Sequence, residues 1–182
     1  MTASTKVAID CAIITLIFNF IAQVVNDPGK INIALRNNSD VEYLQMRSER
    51  RTKIKIYVDI NYKHKWIKNK LENYGGLQLE IINTNWTSIE IDKREEYGDI
   101  IDYTNPSKKI VVDLNNVCVE EQLDGKLYLT LLVEPNKTIK SDGVIATKVV
   151  QNKTNFIKNL IFNSFIDTTC GCQKISYREE EE

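Results

Sequence analysis

Between residues 31 and 150 the sequence breaks into short runs of β-type pattern, and their number limits the fold more than any other feature. They read "INIAL", "VEYLQM", "TKIKIYVD", "GLQLEII", "TSIEI", "KKIVVDL", "KLYLTLLV" and "GVIATKVV". In "TKIKIYVDI", Ile54, Ile56 and Val58 alternate with Lys53, Lys55 and Tyr57, the two-residue period of a strand with one buried face. Turn-forming "YGG", "NPSK", "LDGK" and "KSDG" separate the runs. Many short strands with little helix between them fit an antiparallel sandwich or barrel, not a parallel α/β sheet. One more helix is expected at 154–166, "TNFIKNLIFNSFI", with Thr154 as N-cap and Phe156, Leu160, Ile161 and Phe165 on one face. A chain of 182 residues without internal repeat or linker fits one domain, mainly β with two flanking helices.

The segment before the strands is of another kind. Residues 6–30, "KVAIDCAIITLIFNFIAQVVNDPGK", are the most apolar part of the chain. A cleaved signal peptide wants an uninterrupted apolar run and small residues before the cut. Asp10 and Asn19 interrupt this run, and "IAQVVND" makes a poor cleavage site. A resident transmembrane helix needs about 20 apolar residues with few charges, and a carboxylate such as Asp10 is costly at depth. At 100° per residue, Ser4, Thr5, Ala8, Cys11, Ala12, Thr15, Asn19, Gln23 and Asn26 fall on one narrow small-and-polar face. Ile9, Ile13, Ile14, Leu16, Ile17, Phe20, Ile21, Val24 and Val25 fill the broad remainder, and "NDPG" ends the helix. Lys6 and Asp10, four apart, are placed to pair. This periodicity alone favours an N-terminal helix over 4–25 packed on the core over one used on a membrane.

Formal net charge is −1, so the total predicts no nucleic-acid partner. Residues 47–70 nevertheless carry Arg47, Arg50, Arg51, Lys53, Lys55, Lys63, Lys65, Lys68 and Lys70 with Tyr57, Tyr62 and Trp66 among them. An acidic run from Glu90 to Asp102 follows. Both read as solvated faces of strands and loops, the basic one alternatively as an edge that meets phosphates or headgroups. Cys11, Cys118, Cys170 and Cys172 form no CxxC pair or zinc spacing, and His64 is the only histidine. A link from Cys118 to Cys170 or Cys172 and four free thiols are both open. Sequons at Asn37, Asn85, Asn136 and Asn152 are weak evidence for secretion in so asparagine-rich a chain. No phosphate loop, metal set or nucleophile motif is present, and Glu95 beside Glu96 reads as solvated. The expectation is no enzyme, no catalytic residue, no cofactor and no metal.

Several motifs follow the order of a known family. "AIDCA" (8–12) matches a V-I-D-G-A-like helix start, and "KINIALRNNSDVEY" (30–43) matches a K-I-x-V-x-V-x-N-x-S strand followed by a tryptophan, through Lys30, Ile31, Asn37, Ser39 and, at the tryptophan's place, Tyr43. "DGKLYLTLLVEP" (124–135) keeps Asp124, Gly125 and Pro135 of a D-G-x-x-L-x-V-L-F-S-V-P strand, and "ATKVVQNK" precedes the late helix at a similar distance. In these features the chain resembles the actinoporins, pore-forming toxins, and the fungal fruit-body lectins that share their sandwich. The matches cover about half the chain.

The resemblance implies a single actinoporin-like domain, with helix and hinge at 1–29, sandwich at 30–151 and second helix and tail at 152–182. It implies a secreted protein that acts at target membranes, where it forms a homo-oligomer, with lipid as its partner. Ile9, Ile13, Leu16, Ile17, Phe20, Ile21 and Val24 are then the membrane-inserting face, docked on the sandwich in water through Ile13, Leu16, Phe20 and Val24. Val133, Pro135, Ser141, Phe156, Leu160 and Ile161 take the places of the family's headgroup pocket, beside loop 136–142. That pocket's serine and aromatics are replaced by Val133, "NKTIKSDG" and Phe156, Leu160, Ile161 and Phe162, and the family's R-G-D stretch is absent. Without aromatic faces to hold a quaternary ammonium, weak phosphocholine binding is expected. The alternative the resemblance leaves open is a non-lytic recognition module with the helix permanently docked.

Overall fold

The structure is a computed structural model describing residues 3–26, 28–37, 43–46, 51–103, 107–119, 121–136, 141–152 and 162–177. In chain order the elements are α1 (Ala3–Asn26), β1 (Gly29–Asn37), β2 (Tyr43–Met46), β3 (Thr52–Asn61), α2 (Lys65–Asn73), β4 (Leu77–Ile82), β5 (Thr87–Ile91), β6 (Ile101–Asp102), β7 (Lys109–Asp113), β8 (Asp124–Pro135), β9 (Ser141–Gln151), β10 (Ile166–Cys170) and β11 (Cys172–Tyr177). They form a β-sandwich of a five-stranded sheet, β10-β1-β3-β8-β5, and a six-stranded sheet, β2-β11-β9-β4-β7-β6. The pairs β1–β10 and β2–β11 are parallel and the others antiparallel.

Alternation builds the core. Ile54, Ile56, Val58 and Ile60 of β3 are buried while Lys53, Lys55, Asp59 and Asn61 are exposed. Ile31 and Ile33 of β1, Leu129, Leu131 and Val133 of β8 and Ile89 and Ile91 of β5 join them. Leu79, Ile81, Ile110, Val112, Ile145 and Ile175 bury the inner face of the other sheet. Each of the eight runs expected to be strands contains one, with Val41 and Glu42 of "VEYLQM" outside the described residues.

Four expectations need correction. First, "HKWIKNKLEN", expected to be strand or loop, contains α2. Ile67, Lys68 and Leu71 are its buried residues. Its end is a Schellman motif: Gly76 N–H donates to Leu71 O at 2.9 Å and Gly75 N–H to Glu72 O at 3.0 Å. Both glycines have positive φ, 104° and 76°, which explains "YGG". Second, segment 152–182 is no helix-and-tail appendage, because it contributes β10 and β11, one strand to each sheet. Gly171 is the crossing point, and a Cβ there would lie 2.9 Å from Ile33 O. Third, of the helix expected at 154–166, residues 153–161 lie outside the described residues, 162–165 are helical and Ile166 already belongs to a strand.

The fourth correction concerns α1. It is a helix almost over the expected span, yet it is not docked. Ile13 is 50%, Leu16 68% and Phe20 61% exposed, while the side chain of Val24 lies outside the described residues. The two sheets close their apolar faces on each other. Their outer faces carry charges, Lys53, Lys55 and Lys126 on one and Glu80, Lys109, Lys148 and Lys174 on the other. Laying α1 on either face would bury charge against its apolar side chains.

Candidate functional site

Residues 5–23 are all exposed, including Ile9, Ile17 and Ile21. The stretch Thr5–Gln23 has 19 residues and a mean hydropathy of 1.8, and none of it is buried, so by length and composition it is able to cross a membrane. At 1.5 Å per residue it spans about 28 Å, close to the ~30 Å hydrocarbon core of a bilayer. Its two charged residues, Lys6 and Asp10, lie within the first turns, where the long Lys6 stem reaches the headgroup layer and Asp10 is placed four residues on to pair with it. Thr15 returns its hydroxyl to the helix, donating to Cys11 O at 2.8 Å. That leaves one polar group fewer to be satisfied by solvent.

Only residues 27 and 28 separate α1 from β1, so α1 fixes which end of the sandwich lies beside it. Lys30 pairs with Asn61 of β3, and Asn61 pairs with Asp124 at the start of β8. A Cβ on Gly29 would stand 2.9 Å from Ile166 Cδ1 and 3.0 Å from Asn61 O, and Tyr62 N–H donates to Leu123 O at 2.6 Å. Gly29, Asn61, Tyr62, Leu123 and Ile166 therefore mark the proximal end.

The expected headgroup loop lies at the other end. β8 runs 12 residues from Asp124 to Pro135, about 37 Å at ~3.4 Å per residue. Pro135 pairs with Thr87, Ser141 with Tyr177, and Asn136 N–H donates to Trp86 O at 2.8 Å. Trp86 is buried there, its indole N–H donating to Asp142 O at 3.2 Å. Val133 faces the core at 0% exposure, so its side chain is no part of a surface pocket. Phe156, Leu160, Ile161 and loop residues 137–140 lie outside the described residues. The exit of α1 and the loop expected to bind headgroups are thus at opposite ends of the sandwich.

Two hollows among the described residues have polar walls. The distal one, 490 Å³, is lined by residues including Arg51, Glu90, Arg94, Tyr103 and Glu134. Arg51 reaches Glu134 at 3.1 Å and Glu90 at 3.8 Å, and the Arg94 guanidinium stands 4.2 Å from the centre of the Tyr103 ring. Tyr103 accepts Ile91 N–H at 3.0 Å, closing part of the outer edge of β5, and burial pushes its phenol up. Nearby, the hydrogen bond from Lys53 holds Asp92 below the usual carboxylate range.

The other hollow, 680 Å³, is bordered by Asn69, Glu72, Asn115, Asn116, Cys118 and Val119. Beside it Lys68 is buried, its ammonium donating to Val119 O at 2.9 Å, Gln122 O at 3.1 Å and Cys118 O at 3.3 Å, with Glu72 at 3.8 Å. Burial pushes the Cys118 thiol up, against the opposing pull of Lys68. All four cysteines are free thiols, Cys118 buried and Cys11, Cys170 and Cys172 exposed. Among the described residues no three His, Cys, Asp or Glu side chains converge as metal ligands. Of the basic run 47–70, Arg47 and Arg50 lie outside the described residues, while Lys53 and Lys55 are on an outer sheet face, Arg51 is in the distal hollow and Lys68 is inside the protein.

No family model matches the chain, and no curated protein matches it. Solved structures with some likeness include CaCohA2 from Clostridium acetobutylicum, at 10% identity and TM-score 0.40, covering 84% of this chain and 94% of that one. The seventh ScaB type I cohesin from Pseudobacteroides cellulosolvens gives 9% identity and TM-score 0.40, with coverage of 84% and 94%. BcpA, the major pilin subunit of Bacillus cereus, gives 14% identity and TM-score 0.41, covering 81% of this chain and 39% of BcpA. At such scores these likenesses carry no argument about what the present chain binds.

Proposed function

We propose that the chain is a membrane-tethered β-sandwich that acts as a recognition module: α1 enters a bilayer and the sandwich stands on the membrane surface with its distal end outward. The observation that carries this reading is the uncovered helix, 19 apolar-rich residues with none of that stretch buried. An apolar area of that size in water is unfavourable by about 25 cal/mol per Å², and the bilayer offers the cover that the sandwich does not. The distal end then faces any partner. Its hollow, set with Arg51, Arg94, Tyr103, Glu90 and Glu134, suits a protein surface carrying charges of both signs.

Flotation of the full chain and of residues 27–182 with phosphatidylcholine vesicles tests the tether. The full chain is expected to float and the shortened chain to stay at the bottom of the gradient. Equal flotation of both, or of neither, counts against the reading. Removal of the helix from the mature protein, as a signal sequence, also counts against it.

A second reading is favoured by the narrow face of Thr5, Ala8, Cys11, Ala12, Thr15, Asn19 and Gln23 on α1. Small and polar side chains allow helices to pack closely in lipid, and several copies would form the oligomeric pore of actinoporin type. Dye release from the same vesicles separates the two readings, since a tether leaves them sealed and a pore empties them.

A further inference from the structure

The proximal end carries an aromatic set in which Trp66 is exposed and His64 and Phe165 are half-buried. The chain leaves β3 at Asn61 and enters α2 at Lys65, which places His64 and Trp66 beside the exit of α1. Trp66 is 46% exposed. Its ring stacks near His64, with centroids 6.3 Å apart, and meets Phe165 edge-on at 5.4 Å. Phe165 directly precedes Ile166, the register partner of Gly29. The set thus comes from two distant parts of the sequence and converges where the helix leaves the sandwich.

The tether decides what such a set meets. Three chain steps from Asn26 to Gly29 reach at most about 11 Å. The polar layer on each side of a bilayer is about 6 Å thick. With Asn26 at the edge of the hydrocarbon, Gly29 is therefore held no more than about 5 Å beyond the headgroup layer. Tryptophan favours this boundary, where its ring is half covered and its N–H stays wet. The charges around the set are of both signs: Lys30, Lys63 and Lys65 against Glu121, Asp124 and Asp167, with Lys65 paired to Glu121 at 2.8 Å. Among the described residues the end therefore presents no one-signed patch to select anionic lipid.

We infer that His64, Trp66 and Phe165 form a membrane-contact collar that enters the headgroup–acyl boundary of the bilayer holding α1 and sets the sandwich upright on it. This rests on the tethered reading above. Its ligand is the lipid interface itself, with no choice between zwitterionic and anionic headgroups.

The two tryptophans provide the test. Trp66 is at the proximal end, while Trp86 is buried beside Asn136 at the distal end, a β8 length away. The full chain is bound to phosphatidylcholine vesicles whose acyl chains carry bromine near the headgroups, and bound protein is collected by flotation. The expected result is a loss of part of the tryptophan emission that disappears in Trp66→Phe, with the same loss when anionic lipid is added. Flotation without quenching, or quenching unchanged by Trp66→Phe, overturns the collar and leaves the tether standing. Quenching only with anionic lipid overturns the proposed indifference to headgroup. Failure to float overturns both.

Discussion

Lys68 shows at the scale of one residue how composition misleads. In the sequence it is one of nine basic residues in a run that reads as solvated. In the fold it lies on the inward face of α2, and its ammonium holds three carbonyls of the segment 118–122. Lys68→Met keeps the stem and removes the donor. Orphaning these carbonyls is expected to cost about 2–4 kcal/mol, read as a lower denaturation midpoint at unchanged cooperativity. An unaltered midpoint would mean that the ammonium does not hold the segment. Its neighbours set the alkaline limit. Burial pushes up both the Cys118 thiol and the Tyr62 phenol, so the folded chain keeps protons that the unfolded chain releases. This contribution is complete below the unfolded thiol's range and is lost as pH rises toward the folded values. The denaturation midpoint should fall above about pH 8.5, and Cys118→Ala should flatten the first part of that fall. A midpoint that rises there would contradict the assignment.

Elements were legible where local pattern and burial agree. Strand β3 was readable because Ile54, Ile56 and Val58 alternate with Lys53, Lys55 and Tyr57 against a single core. Helix α2 was not, because its nine residues bury only Ile67, Lys68 and Leu71, and one of the three is a lysine. Its signal was present in "YGG", read only as a turn and in fact the two positive-φ residues of a helix end. β10 was hidden for a different reason: Asp167, Thr168, Thr169 and Cys170 are exposed at a sheet edge, so the strand has almost no apolar period. Helix α1 was legible as a helix, but its surroundings were not, since periodicity shows a face and not what covers it. Among the described residues the core draws on 31–177 and on none of α1. The shortened chain used in flotation should therefore unfold within about 1 kcal/mol of the full chain, a surface-level change. A chain that fails to fold without residues 1–26 would make the helix part of the core after all.

At the scale of the molecule, the resemblance to a pore-forming family joined two features that the topology separates. The helix and the Pro135 loop follow one another in the sequence in the family's order, yet the helix joins the sandwich at the Asp124 end of β8 and Pro135 is at the other, about 37 Å away. Sequence order carries no information about which end of a sandwich a loop occupies; strand direction and register supply it. The account that remains has a helix in the membrane, an aromatic collar at its foot and a charged hollow at the far end. The four thiols test its central claim most directly, because they report on each part at once. In reducing buffer without lipid, Cys11, Cys170 and Cys172 are exposed and should react with a membrane-impermeant maleimide while buried Cys118 stays silent. On floated vesicles the account predicts that Cys11 alone becomes protected, leaving Cys170 and Cys172 reactive. Continued labelling of Cys11 in vesicle-bound protein would contradict it.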